Sequence, residues 1–246
     1  MKYQSFVIVH DQDILIDLEK KGTFNALEDF TWLFVGDKPV DKINAPEYNV
    51  IICREQPNNI EQHKNLLVFT AWYCLVKNNL ISANTDFINL FEYDVELPEN
   101  INEVLLNEFK GDSADIVGYN PLPMEHWEFL GDMKWTYGFR LAIMKHKKQD
   151  FVFNLMRYLL YLKGSKTWNT TTNLSIKKVN FFSLINYLEP CIEDLSKDEY
   201  AGHGLERYIT WYGLKNMLRV KTAPFKLKHY QANSHKTQPH TSNFKV

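Results

Sequence analysis

Long apolar runs are missing from this chain. No stretch approaches the roughly 20 residues that cross a bilayer, so no membrane span is expected. Cysteine is scarce. Cys53, Cys74 and Cys191 are the only three, they show no metal-like spacing, and their apolar surroundings read as buried thiols in a reducing compartment. The N-terminus turns polar at His10 after a short apolar run. No signal peptide is therefore expected, and the compartment expected is the cytoplasm. Net charge is small, formally -2, which gives no general reason for nucleic-acid or membrane binding. Glycine is absent from His10-Asp11-Gln12-Asp13. A phosphate-cradling glycine loop after the first apolar run is thus missing, which weighs against a nucleotidyltransferase. Acids are absent after Glu206, while Arg207, Lys215, Arg219, Lys221, Lys226, Lys228, Lys236 and Lys245 follow. That cationic end suits an anionic ligand such as a nucleotide diphosphate, although a solvated tail fits Asn233 to Val246 better.

What is present is enough for a sizeable core. The 246 residues and 14% aromatic content argue for one ordered domain without sharp linkers. Ser5-Phe6-Val7-Ile8-Val9 is a continuous apolar run of the buried-strand type. Ile14 to Asp29 reads as an amphipathic helix breaking at Gly22. Thr31 to Val35 and Tyr48 to Cys53 read as strands. Asn59 is placed to cap a long helix, Ile60 to Asn78, with Leu67, Ala71, Cys74 and Leu75 as its buried stripe. The order β, α, β, β, α, β in the first hundred residues implies a mostly parallel sheet with packed helices.

The stretch Asn84 to Asn100 organises the rest. The run Phe87-Ile88-Asn89-Leu90-Phe91 delivers Glu92 and Asp94, which in an extended strand would share a face. Two hard oxygen ligands at a strand end, with coordination positions left over, suit Mg²⁺ or Mn²⁺ on a diphosphate. A strand running into a solvated acidic turn is the plainer reading. Further on, Ile101 to Phe109 reads as a short helix and Asp115 to Tyr119 as a strand. Phe139 to Met144 reads as another strand, and Asp150 to Leu162 as an amphipathic helix. Trp127 and Trp135 lie in a segment suited to a flat or sugar-like ligand, with core packing as the alternative. Trp168 to Asn173 is a polar loop rich in hydroxyls and amides, and a helix carries Phe181, Leu184, Ile185 and Leu188.

Ala201 to Asn216 reads as a helix with Leu205, Tyr208, Ile209 and Tyr212 on its apolar face. His203, Glu206, Arg207 and Thr210 gather on the other side, as a solvated surface or a site wall. Gly202 and Gly204 leave room for a ligand or another backbone. Phe225 to Tyr230 alternates as a strand does, and carries His229.

Taken together, these pieces resemble the nucleotide-sugar-dependent glycosyltransferases of the GT-A fold. The resemblance covers residues 3 to about 231 and rests on order and spacing; small single-domain enzymes of large DNA viruses and bacteria are nearest in size. It implies an α/β, GT-A-like single domain over 1–246, with a mostly parallel central sheet and helices on both faces. Residues 1–100 would form a Rossmann-like nucleotide-binding half, 101–231 the acceptor and catalytic half, and 232–246 a tail. It also implies a metal-dependent transfer from a UDP-sugar donor to a hydroxyl of a glycan acceptor, with Mn²⁺ or Mg²⁺ as cofactor. Glu92-Tyr93-Asp94 stands where the family has its DxD-type motif, with Glu in place of the first Asp. Asp94 and Glu92 would hold the metal, with His229, or else His203, as the late histidine ligand. His10, Asp11 and Gln12 would border the nucleoside, and Tyr93 the ribose or base. Lys226, Lys228 or Arg207 would neutralise phosphate. The reacting centre would lie around His203, Glu206 and Arg207, with Asp132 and Glu125 as further carboxylates. A non-catalytic glycan-binding or scaffold protein of the same fold is the alternative from another class.

Overall fold

A computed structural model describes residues 1–66, 68–119, 122–123, 138–147, 167–168 and 171–229. The chain begins with strand β1, Tyr3–Val9, and helix α1, Gln12–Lys21. Strand β2, Phe30–Phe34, the short helix α2, Ala45–Tyr48, and strand β3, Val50–Ile52, follow. Next come helix α3, Val68–Lys77, strand β4, Phe87–Glu92, strand β5, Val95–Glu96, and helix α4, Ile101–Phe109. Strands β6, Ile116–Gly118, β7, Leu122–Pro123, and β8, Thr167–Trp168, lead to β9, Leu174–Lys177. The last elements are α5, Lys178–Leu188, α6, Ile192–Leu195, α7, Ala201–Lys215, β10, Val220–Thr222, and β11, Lys228–His229.

Seven strands form one sheet in the order β10-β6-β9-β4-β1-β2-β3. β1 runs parallel to both β2 and β4, and β2 parallel to β3. β9 is antiparallel to its neighbours β4 and β6. The first apolar run is buried on both sides, which is why it reads as continuous rather than alternating. Phe6 and Ile8 face a core shared with Trp72 and Leu75 of α3, Phe181 and Leu184 of α5, and Leu205 and Ile209 of α7. Val7 and Val9 face the opposite core, with Leu15 of α1 and Ile101, Leu105 and Phe109 of α4. Helices thus cover both faces of a mostly parallel sheet, as expected. All three cysteines are buried and none is in a disulfide. Among the described residues no helix is long and apolar enough to cross a membrane.

Several local expectations are corrected. The first helix starts at Gln12 and does not resume after the expected break, where Gly22 takes a left-handed backbone, φ 62°, and returns its N–H to Glu19 and Leu18. The helix expected from Ile60 is only Val68–Lys77. Asn59 closes a turn instead, donating its amide to the carbonyls of Arg54 and Gln56 and accepting from the Glu61 N–H. Phe139 to Met144 is helical, within residues 138–146. Phe139, Ala142 and Ile143 are its buried residues, and that spacing is one face of a helix; a short apolar run does not by itself separate strand from helix. β9 has only four residues, too few for its period to mark it in the sequence. The segments 124–137 and 150–162, with Glu125, Trp127, Asp132 and Trp135, lie outside the described residues, as do Leu67 and the tail from 230.

The far half of the sheet is tied by Asp115. Its carboxylate accepts from the Arg219 main chain at 2.9 Å and from Arg219 Nε and Nη2 at 3.0 and 3.1 Å. Lys177 Nζ lies 3.0 Å away. The Arg219 guanidinium is the main reason the Asp115 carboxyl is held far below the usual carboxylate range. A carboxyl depressed by folding contributes stability that is present above its unfolded pKa and lost as pH falls through the folded one. Asp115→Asn should therefore lower Tm by about 2–6 °C at neutral pH. The gap to wild type should narrow as pH falls below about 4, which paired thermal melts across pH would show.

Candidate active site

β1 and β4 are parallel neighbours, so their carboxyl ends open on the same edge of the sheet, the edge where ligands lie in open α/β folds. His10 follows β1 there, and its ring meets Tyr93 edge-on with centroids 5.2 Å apart. The Tyr93 N–H donates to the Ile8 carbonyl at 3.0 Å, fastening the acidic segment to the end of β1. β4 itself ends at Glu92, and Tyr93-Asp94 is a turn leading into β5. The two acids therefore do not project from one extended strand, as the i, i+2 spacing suggested. The strand places Glu92 and the turn places Asp94.

All three residues of Glu92-Tyr93-Asp94 are half-buried, and one carboxylate oxygen of Asp94 is wholly buried. Burial first, then the charges of Asp94, Glu92 and Asp11, push the Tyr93 hydroxyl up to about 12. It is thus a neutral donor at any physiological pH. Glu92 is gripped from β9's side. Its main-chain N–H donates to Asn173 Oδ1 at 2.7 Å, and the Thr172 hydroxyl donates to its Oε1. The hydroxyl- and amide-rich run before β9 was legible as a polar loop, but nothing in its spacing pointed at Glu92. Only the β4–β9 pairing does that.

β11 pairs antiparallel with β5, setting Lys228 opposite Glu96 and the His229 backbone opposite Val95, one residue beyond Asp94. The late histidine expected from the tail thus returns to the acidic turn. Lys228 is exposed and lies 3.8 Å from Glu96, and Lys226 is exposed. Of the other tail cations, Arg219 is spent on Asp115, and Lys221 on Glu108 at 3.2 Å. Asp11 caps α1 through the N–H groups of Asp13 and Ile14 and pairs with Lys38 at 2.7 Å. Lys38 is the chief cause holding the Asp11 carboxyl low. Gln12 opens α1, donating to Asp41 at 2.8 Å and accepting from the Lys42 N–H at 2.9 Å. With Asp13, Lys38, Pro39, Asp41 and Lys42 they line a cleft of 350 Å³.

His203, Glu206 and Arg207 form a second cluster on α7. Arg207 is 8% exposed, donates to the His203 carbonyl at 3.3 Å and pairs with Glu206. Glu206 lies 3.7 Å from His203 Nδ1. Thr210 and Trp211 are buried too, so this face of α7 is not a solvated surface. The room at Gly204 is taken by protein. A Cβ there would lie 2.6 Å from Phe139 Cβ, so the glycine lets α7 close on the 138–146 helix.

This arrangement superposes on solved structures over nearly the whole chain. WbbM, a bifunctional glycosyltransferase in its apo state, superposes with a TM-score of 0.63 at 12% identity, covering 94% of this chain. The fold is GT-A-like. The chain spans 46% of WbbM's own length. Glucosyl-3-phosphoglycerate synthase from Mycobacterium tuberculosis, solved with Mn²⁺ and UDP-glucose, matches at a TM-score of 0.45 and 9% identity, over 93% of this chain and 71% of that one. No known family model matches the chain, and no curated protein does.

The donor set is compatible with the divalent ion that such a fold implies. Among the described residues no three His, Cys, Asp or Glu side chains converge as a ready-made metal cage. Mg²⁺ and Mn²⁺ bound through a diphosphate do not need one, since one or two carboxylates, phosphate oxygens and waters complete the shell. Asp94 and Glu92 are the two carboxylates that would serve there.

Gly204→Ala distinguishes a packing glycine from a ligand-approach glycine. Alanine favours a helix by about 1 kcal/mol, but its Cβ would overlap a Phe139 atom fixed close to the backbone. Overpacking costs about 1–3 kcal/mol, so the unfolding free energy from urea titration should fall by a net amount of up to about 2 kcal/mol, whereas at a ligand-approach glycine it should rise by about 1 kcal/mol.

Proposed function

We propose that the chain is a metal-dependent glycosyltransferase, moving a sugar from a UDP-sugar to a hydroxyl of a glycan. The observation that carries this is the acidic turn at the shared carboxyl edge of β1 and β4, walled by His10 and Tyr93. In this reading Asp94 and Glu92 hold Mn²⁺ or Mg²⁺ against the donor's diphosphate, with His229 as the third protein ligand. The ion, when bound, supplies Lewis-acid neutralisation of the charge that grows on the leaving diphosphate. His10 and Tyr93 offer ring faces and a neutral hydroxyl donor to the ribose or base. Asp11 and Gln12 hold the end of the cleft rigid through their bonds to Lys38, Asp41 and Lys42. Lys226 and Lys228 add positive charge near β11. On α7, Glu206 is the carboxylate assigned to take the proton of the acceptor hydroxyl, with His203 and Arg207 holding it.

One observation favours the rival reading of a non-catalytic glycan-binding protein: the Glu206 carboxylate is tied to Arg207. Thermal shift with nucleoside diphosphates separates the two. UDP at a hundredfold over its Kd should raise Tm by about 5–10 °C, and only when Mn²⁺ is present. Asp94→Asn should abolish the shift. No response to any nucleoside diphosphate, with metal supplied, would sink the enzymatic reading and favour the scaffold.

A further inference from the structure

We propose that Thr172 and Asn173 are positioning residues for the acidic turn and that they act through Glu92; the inference rests on the metal-site reading above. The geometry begins with the sheet. β9 runs antiparallel to β4, and the last pair in register is Leu90 with Leu174. Continuing that register sets Asn173 and Thr172 alongside Phe91 and Glu92. Thr172 is 4% exposed and Asn173 0%. Their polar atoms meet Glu92 twice: Asn173 Oδ1 accepts its N–H at 2.7 Å, and the Thr172 hydroxyl donates to its Oε1.

Glu92 N–H can only donate, so Asn173 must turn its oxygen toward it. That fixes the amide, and it leaves Asn173 Nδ2 buried with no hydrogen-bond partner among the described residues. Burying an amide nitrogen in this way is costly. An apolar residue would fill the same inward position just before β9 without that cost. The chain keeps the amide where it holds the backbone of the first acid, and uncompensated buried polar groups call for such an explanation. Thr172 complements it by tying one carboxylate oxygen of Glu92. That bond restricts the orientations open to the carboxylate. Oxygen ligands held by hydrogen bonds from behind bind metal more tightly than free ones. The first acid here is Glu rather than Asp, with one more rotatable bond to restrain, and the threonine hydroxyl supplies that restraint.

The test is a Mn²⁺ titration of the full chain in the presence of UDP, with free Mn²⁺ followed by its paramagnetic resonance signal. Thr172→Val removes the hydroxyl while keeping the shape, and should weaken Mn²⁺ binding about tenfold. Thr172→Ser keeps the hydroxyl and should restore wild-type binding. Because Thr172 acts through Glu92, adding Thr172→Val to Glu92→Gln should change the Mn²⁺ Kd by less than about twofold. A role in packing alone would lower the metal-free melting temperature of Thr172→Val and leave its Mn²⁺ Kd at the wild-type value, which overturns the proposal. So would full additivity with Glu92→Gln. If wild type itself binds no Mn²⁺ with UDP, the metal-site reading falls, and this inference with it.

Discussion

Six residue pairs, from Tyr3 opposite Phe87 to Ile8 opposite Glu92, hold β1 and β4 in parallel register. Everything at the candidate site depends on that pairing. It brings His10 and the acidic turn to one edge, and it sends Phe6 with Leu90 to one core and Val7 with Phe91 to the other. A slip of one residue would reverse every side chain on the strand. A polar contact inside the sheet guards against it: Asn89 Nδ2 donates to Ser5 Oγ at 3.0 Å, both residues buried. Across the next strands the Tyr119 and Ser175 hydroxyls meet at 2.9 Å. A slipped register would leave these groups buried without partners, a penalty larger than the contacts themselves contribute.

The inserted antiparallel strand has the second large consequence. An all-parallel sheet would bring the amino end of the neighbouring strand to the opposite edge. Because β9 runs the other way, the residues that precede it lie beside the carboxyl end of β4. Thr172 and Asn173 reach Glu92 for that reason alone. The same reversal lets Lys177, at the end of β9, join Asp115 and Arg219 at the far edge. One short strand of four residues thus supports the acidic turn at one end and the β6–β10 half of the sheet at the other.

The basic end of the chain divides by role. Arg219 and Lys221 are consumed in holding β6, β10 and α4 together, and Lys215 lies against the Tyr187 ring and hydroxyl. Lys226 and Lys228 remain on the surface beside the strand that pairs with β5. Among the described residues, the tail cations beside the acidic turn are therefore Lys226 and Lys228, although the sequence spreads positive charge over the last forty residues.

The chain by itself determined the layered α/β order, the buried strands and the acidic segment near residue 92, because these are carried by local composition and by runs long enough to show a period. Gly22 as a stop is local in the same sense. The chain did not determine the extent of the helix before β4, since Asn59 serves a turn as readily as a cap. Nor did it determine the helical state of 138–146, since six apolar-rich residues suit either periodicity. Tertiary structure alone decided that Asp94 sits in a turn, that Gly204 answers to Phe139, that His229 returns beside Val95, and that Thr172 and Asn173 hold Glu92. Each of these is a contact between residues far apart in the chain. Such contacts are set by which strands pair and in which direction, and neither spacing nor composition encodes that locally.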